Sequence, residues 1–569
     1  MHAVRRLGFL LLVCVVVLGA GCSSSDSGGA SPSSTTLSGT ALSSAVRQPR
    51  ITVSAVRLIT NADSVLSFEL RFTTSSPAVM TLHVDGPGGA WSVTPERSAT
   101  TVHDIPVVDL RARSRYEAWV TTNDGLNRSE HVAITTKALP ADFPALTTTH
   151  SEPSRMAPGV TMFTVTPPTP PHAKLPLLGN LIAVDAGGNV VWYHRAPVPI
   201  GDAKMLPNGD ILYEYNDMGA QEIDILGHVV REWAGRLENG PFRVDSYGRT
   251  LPGPNTIPVD IDSIHHEVTM LANGDILTIS NELRTVSGFS HPVCGEPASQ
   301  FTGSYKLITD ILVEFNAATG HIVHEYPIAD YLHPQTNPAD ANICGFGGAN
   351  IYPNFLYASH GDVHDWTHVN AVILDAKNNR LLVSIRHLDA ILSIKYKTDS
   401  AGPAGTLLWR FGPNGGDFKL TGNGEWQYHQ HAIELESDGS LMMFDNGNDR
   451  ANANPLYSRA VRYVINDTGP KSTWTAAQQW EYRPTVDGTP AYGFFVGDAN
   501  LLPNGNVLVD TGGMIPAIKG FNAQIDEVVP AAHEGGTVVF ELRVPGVGSF
   551  VYRANRVPSL YGNAITVHG

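Results

Sequence analysis

Apolar and polar residues alternate with period two in short stretches along most of the chain. Between residues 49 and 140 the runs are "ITVSAVRLI", "VLSFELRFTT", "AVMTLHVDG", "YEAWVTTNDG" and "HVAITTK", each bounded by Gly, Pro, Asn or Asp. Alternation of this kind puts one face of each strand in a core, and five such strands in so short a span predict a small β-sandwich.

The remainder repeats itself. "LPNGDIL" (206–212) recurs as "LANGDIL" (271–277), "LDAKNNRLL" (374–382), "LESDGSL" (435–441) and "LPNGNVL" (502–508). An apolar strand, an Asn/Asp-Gly turn and a second apolar strand make a hairpin, because the turn needs residues that tolerate positive φ. A second hairpin motif alternates with the first: "VDAGGNVVWYH" (184–194), "IDILGHVVREW" (223–233), "EFNAATGHIVHEY" (314–326), "AGTLLWRFG" (404–412) and "GGTVVFEL" (535–542). Two hairpins per unit give four-stranded sheets. Gly209 and Gly274, like Gly439 and Gly505, lie about 65 residues apart, with the Asn378-Asn379 turn between the two pairs. Such repetition predicts a β-propeller, which protects sheet edges by radial packing. Five hairpins of the first type, plus a blade shared between residues 181–194 and the closing "FVYRANRVPSLYG", predict six blades.

Equivalent positions of successive blades surround the axis. Eight residues before the turn glycines stand Gly201, His266, His431 and Gly497. In "DWTHVNAVILDAKNNRLLVSIRH", His368 opens the corresponding strand and Asn370 shares its face by the two-residue period. Arg386 on the returning strand is the local cation, and strand alternation turns His387 to the other face. His265 should face away beside His266, whereas His429 should share the face of His431. Histidines drawn from three blades to one concavity, beside an arginine, predict a binding site for an anion.

Length, charge and cysteines refine this picture. A chain of 569 residues is too long for one core of ordinary size. Few charged residues (16%) with 54 Gly and 39 Pro fit an all-β chain. A net charge of -16 disfavours nucleic acid as a partner. Residues 1–22 read as an export signal, with Arg5 and Arg6 before an apolar run, and residues 23–48, rich in Ser and Gly, as a flexible tether. "LGAGC" resembles a bacterial lipoprotein box, which makes Cys22 the lipidation site and the outer face of the cell membrane the destination. Plain cleavage would leave a periplasmic or secreted protein. In an exported chain the two remaining cysteines, Cys294 and Cys344, are expected to pair.

The stretches "HHEVTMLANGDIL", "DWTHVNAVILDAKNNRLLVSIRH", "YHQHAIELESDGSLMMFDNGNDR" and "YRANRVPSLYG" resemble the bacterial arylsulfotransferases, which work without PAPS. "LRARSRYEAWVTTNDG" is similar to the closing strands of fibronectin type III or immunoglobulin-like modules. The family resemblance implies a six-bladed propeller (150–569) preceded by a small sandwich (49–140). It implies sulfuryl transfer from an aryl sulfate donor to a phenolic acceptor through a sulfohistidine, by ping-pong kinetics. His431 matches the residue that receives the sulfuryl group, and His266, His368 and Arg386 match the groups around its oxygens. Asn370 matches a substrate contact. The chemistry gives the phenol proton to one of these two histidines, His368 ahead of His266. No cofactor is expected, since no Walker-type loop is present. The alternatives are a metal- or quinone-dependent propeller enzyme and a non-catalytic ligand-binding propeller. Arg386 argues against a metal, because a guanidinium repels a dication.

Overall fold

The computed structural model describes residues 50–167, 178–215, 217–236, 253, 255–344, 357, 360–451 and 453–568. The expected signal, tether and Cys22 lie outside them. Among the described residues the chain is all-β, its only helical segments being short 3-10 turns.

Six sheets hold four consecutive antiparallel strands each, some with an added edge strand. In the first, Phe550–Val557 pairs with Val160–Thr166, which continues to Gly179–Val184 and Val190–Ala196. The second, third, fourth and fifth open on Ile200–Met205, His265–Met270, Val369–Asp375 and His431–Leu435. The sixth opens on Asp498–Leu501 and ends on Thr147–Ser151, so both ends of the repeat region are stitched into sheets built by the opposite end. The opening strands touch in succession, from Ile200–Met205 round to Phe550–Val557 and back, in a closed circuit.

The hairpins form where the turn chemistry placed them. Gly209, Gly274, Gly439 and Gly505 have φ of 95°, 85°, 85° and 87°, and each donates its N–H to the carbonyl three residues earlier at 2.8–2.9 Å. Asn379 takes the same role with φ 52°. Apolar alternation then fills the spaces between sheets. Leu382, Ile391, Phe411, Leu441, Met443 and Val461, for example, pack the fourth sheet on the fifth.

Two smaller sheets precede the six, one built on Val53–Thr60, Phe68–Ala78 and Thr100–Val107, the other on Met80–Asp85 and Arg115–Thr122. Leu70, Phe72, Leu82, Val84, Ile105 and Val120 fill the space between them, in a core continuous with that of the first two large sheets. The C-terminal strand Val567–His568 pairs back onto Trp91 and Ser92. Cys294, in the loop between two strands of the third sheet, and Cys344, in the segment that links the third sheet to the fourth, form a disulfide 50 residues apart.

Candidate active site

A cavity of about 430 Å³ opens where the six opening strands begin. Gly201, Glu214, Asp217, His266, His368, Arg386, His387, His431 and Tyr552 line it on the polar side, and Pro199, Ile200, Phe494, Phe495, Val496, Ile515 and Phe550 on the apolar side. The rings converge: His266 lies 5.0 Å from His368 and 5.9 Å from His431, centroid to centroid, and Tyr552 lies 5.3 Å from His431.

Local backbone irregularity aims these side chains. Register breaks occur at Ile200/Ala203, His265/Val268, Val369/Ala371, His431/Ile433 and Val551/Ala554, all at the cavity end of opening strands. A bulge re-aims the residue it contains. His266 and His368 both adopt left-handed backbone, φ 61° and 50°, a conformation that costs about 1–2 kcal/mol in a non-glycine residue.

The segment "HQH" divides its labour. His429 donates its backbone N–H to Asp389 at 2.7 Å, with its ring Nδ1 3.1 Å from the same carboxylate. Gln430 donates to Ser384 Oγ at 3.0 Å and to the Ala390 carbonyl at 3.1 Å, pinning the strand to the fourth sheet. His431 alone faces the cavity. Its Nδ1 lies 2.8 Å from the Gly497 carbonyl, which can only accept, so the ring hydrogen sits on Nδ1. Nε2 is left with its lone pair, buried and without a hydrogen-bond partner among the described residues. Burial, then the Arg553 charge, hold this ring well below the usual histidine pKa, so it is neutral near pH 7.

His368 directs Nδ1 at the Asp365 carboxylate, 2.7 Å away. Burial pushes Asp365 up to about 6 and His368 down to about 3, the latter helped by Arg386. His266 is held well below the usual range by burial and by the neighbouring His368, and its Nδ1 is 2.8 Å from that of His265. Arg386 donates Nη2 to the Phe494 carbonyl at 3.0 Å. Burial brings its pKa down to about 10, which still leaves a cation.

Three expectations shift. His387 does not turn away: Arg386–Leu388 is a 3-10 turn rather than strand, so two-residue alternation does not apply and both side chains line the cavity. His429 does not share the His431 face, because it has φ 51° and points at Asp389. Asn370 lies behind the cavity wall, where its amide donates to the Gln430 carbonyl at 2.8 Å. His265 stays out of the cavity, as expected, but backs the His266 ring.

Other residues were not singled out from the sequence. Tyr552 occupies the axial register of the first sheet, but its strand has no following turn glycine from which to count. Below it Arg553 donates to Asp202 at 3.1 Å, Glu267 at 2.8 Å and the Asn370 carbonyl at 2.8 Å, bracing three sheets from the centre. Phe494, Phe495 and Phe550 form an aromatic wall, with the rings of the last two 5.4 Å apart. Asp365, His368 and His387 bring three ligand-type atoms within 4.8 Å of one another, the one cluster among the described residues with metal-binding spacing.

An apolar, aromatic-lined wall beside a neutral imidazole, a guanidinium and further imidazoles can hold an aromatic group carrying a compact oxyanion. Comparison with known proteins points the same way. An E. coli O6:H1 protein named arylsulfate sulfotransferase AssT is 31% identical over 144 residues, and one of the same name from Lelliottia amnigena is 28% identical; each match covers 21% of this chain and 23% of the relative. The chain thus aligns with under a quarter of these curated relatives. Among solved structures, TolB from Acinetobacter baumannii aligns over 79% of this chain and 81% of its own with 9% identity and a TM-score of 0.32. The model of the family described as arylsulfotransferase (ASST) matches residues 147–553, from the strand that closes the sixth sheet to the arginine beneath the cavity, and the chain therefore belongs to the arylsulfotransferase family.

Proposed function

We propose that this chain transfers a sulfuryl group from an aryl sulfate to a phenol by a ping-pong route through His431. The observation that carries the reading is the bare, buried Nε2 of a neutral His431 facing a cavity that also holds Arg386. A sulfate ester is a weak electrophile screened by its oxygens, so it calls for an uncharged nucleophile and nearby cationic donors. Nε2 attacks sulfur, the aryl oxygen departs with the bonding pair, and sulfohistidine remains. A phenol oxygen then attacks the same sulfur and the pair returns to Nε2. Arg386, His266 and His368 bind the sulfuryl oxygens; an arriving anion favours the protonated imidazole, and Asp365 shares the charge on His368. The aromatic wall holds the aryl ring.

The architecture belongs to the same proposal: a six-bladed propeller whose closed circuit of opening strands forms the axis, with a small sandwich over 49–140. The pairing of Thr147–Ser151 with the sixth sheet favours a propeller boundary before residue 150. Export, with lipidation at Cys22 and residence on the outer face of the cell membrane or otherwise a periplasmic or secreted form, rests on the N-terminal sequence, and the Cys294–Cys344 bond fits an oxidising location.

Incubation with 4-nitrophenyl sulfate, a quench under mildly basic conditions and intact-mass measurement should find one sulfuryl adduct, mapped to His431 and absent from His431→Ala. An adduct of unchanged yield in that variant overturns the assignment. A metal-dependent reading is favoured by the Asp365–His368–His387 cluster alone. Elemental analysis of untagged protein separates the two readings, a stoichiometric bound metal supporting the second.

A further inference from the structure

The geometry points to Glu214 as the general acid that protonates the departing phenolate and, in the second half-reaction, the base that deprotonates the acceptor phenol. This inference rests on the sulfuryl transfer through His431 proposed above.

In-line displacement puts the entering and leaving atoms on opposite sides of the sulfur. With His431 Nε2 on one side, the aryl oxygen must lie on the other. The circuit of opening strands fixes which residues stand there. His431 heads the fifth sheet, and three steps along the circuit in either direction lead to the second. That sheet presents Gly201 and Glu214 to the cavity, with Asp217 from the loop that follows.

Glu214 reaches the cavity by an unusual path. It sits near the end of the second strand, Ile211–Tyr215, rather than on the opening one. The opening strand carries Gly201 at the register where the third and fifth sheets carry His266 and His431. A Cβ at 201 would collide with Glu214 Oε2, so the missing side chain is what admits the carboxyl. The Asp217 N–H donates to Oε1 at 2.5 Å and orients the group.

Its surroundings favour the proton-bearing form. Burial comes first, and Asp217 and Asp202 add like charge, opposed by Arg553; Tyr552 also faces it. The carboxyl is therefore raised well above the ordinary carboxylate range, which favours its protonated form. A neutral acid explains how a carboxyl stands in an anion-binding cavity without repelling the sulfate. His368 is less suited to this proton, because its Nδ1 is engaged by Asp365 and its ring, charged in the complex, is occupied with the sulfuryl oxygens.

The step balances. As His431 Nε2 bonds to sulfur, the S–O(aryl) bond breaks, its electron pair goes to the aryl oxygen and the Glu214 proton follows, releasing phenol and leaving a carboxylate. The acceptor phenol then gives its proton to that carboxylate while its oxygen displaces Nε2 from sulfur.

The test is the leaving-group dependence of the burst phase. General acid–base catalysis is worth on the order of 10²–10⁴-fold, and only a poor leaving group needs it. Glu214→Gln should slow the burst with phenyl sulfate by about 10²-fold or more, and with 4-nitrophenyl sulfate by less than about tenfold. Equal losses on both donors overturn the inference. Should the variant fail to fold, as read by its thermal transition, wild-type enzyme decides: a shallow dependence of burst rate on leaving-phenol pKa supports the acid, and a steep one overturns it. Absence of any wild-type burst with either donor is a failure of the parent reading and is told apart at once.

Discussion

The ring of His431 is held by the backbone of another sheet: its Nδ1–H donates to the Gly497 carbonyl at 2.8 Å. Gly497 occupies on the sixth sheet the register that His431 occupies on the fifth, and its φ of 108° turns its carbonyl to the imidazole. A Cβ there would meet Phe444 Cδ1 at 2.6 Å and the Asp510 carbonyl at 2.8 Å. Gly497→Ala should therefore shift the carbonyl, free the ring to adopt the other tautomer and slow sulfuryl uptake from 4-nitrophenyl sulfate by about tenfold or more, an estimate from catalytic losses on slight misplacement. Stopped-flow burst rates measure it, and an unchanged rate in a folded variant removes the tautomer argument.

Asp365 is a positioning residue that acts through His368. Its carboxylate, 2.7 Å from Nδ1, stabilises the protonated ring once a sulfate is bound. Asp365→Asn removes that charge, so the ring in the complex loses its proton at lower pH. The alkaline limb of the burst rate at saturating donor should move down by about one pH unit, an opposite charge at this range shifting a pKa by roughly 1–3 units. A merely structural role would lower the rate at every pH and leave the limb in place.

Arg386 supplies a planar fork whose Nη2 is already spent on the Phe494 carbonyl at 3.0 Å. Lysine keeps the charge but neither the fork nor that anchor. Arg386→Lys should lower kcat/KM for aryl sulfates by about 10²-fold, in the range reported for loss of an oxyanion donor. Steady-state kinetics with saturating phenol test this, and a loss under threefold would mean that charge alone suffices.

The fold was readable because its turns are chemical. Gly209, Gly274, Gly439 and Gly505 sit where positive φ is obligatory, and counting back from them reached His266, His431 and two glycines of the axis. Counting failed where no such mark exists. Tyr552 arrives on a closing strand without its own turn, and Arg553 with it. Alternation misjudged His387 because the chain leaves the strand for a 3-10 turn at Arg386. Glu214 escaped notice for another reason: its reach depends on the absent side chain of Gly201, a relation between two strands that no single stretch displays. Asn370 follows the expected period but spends its amide on the Gln430 carbonyl, bracing the strand that carries His431.

Asp510 carries a last prediction, about stability rather than turnover. Both its carboxyl oxygens are buried with no hydrogen-bond partner among the described residues. Burial, then Asp498 and Asp526, push its pKa well above 3.8. A carboxyl raised in the folded state contributes its full share of stability below the unfolded pKa, near 4, and loses it as pH rises toward the folded value. Wild type should thus lose up to about 1.4 kcal/mol per pH unit through this group in that window, because the folded chain keeps a proton that the unfolded chain releases. Asp510→Asn is nearly isosteric and has no proton to lose. Its stability advantage over wild type should grow between pH 5 and pH 8, read as the difference in urea midpoints. A difference that stays constant, or shrinks, across that range would show that Asp510 is ionised in the folded protein and is compensated by a partner such as ordered water.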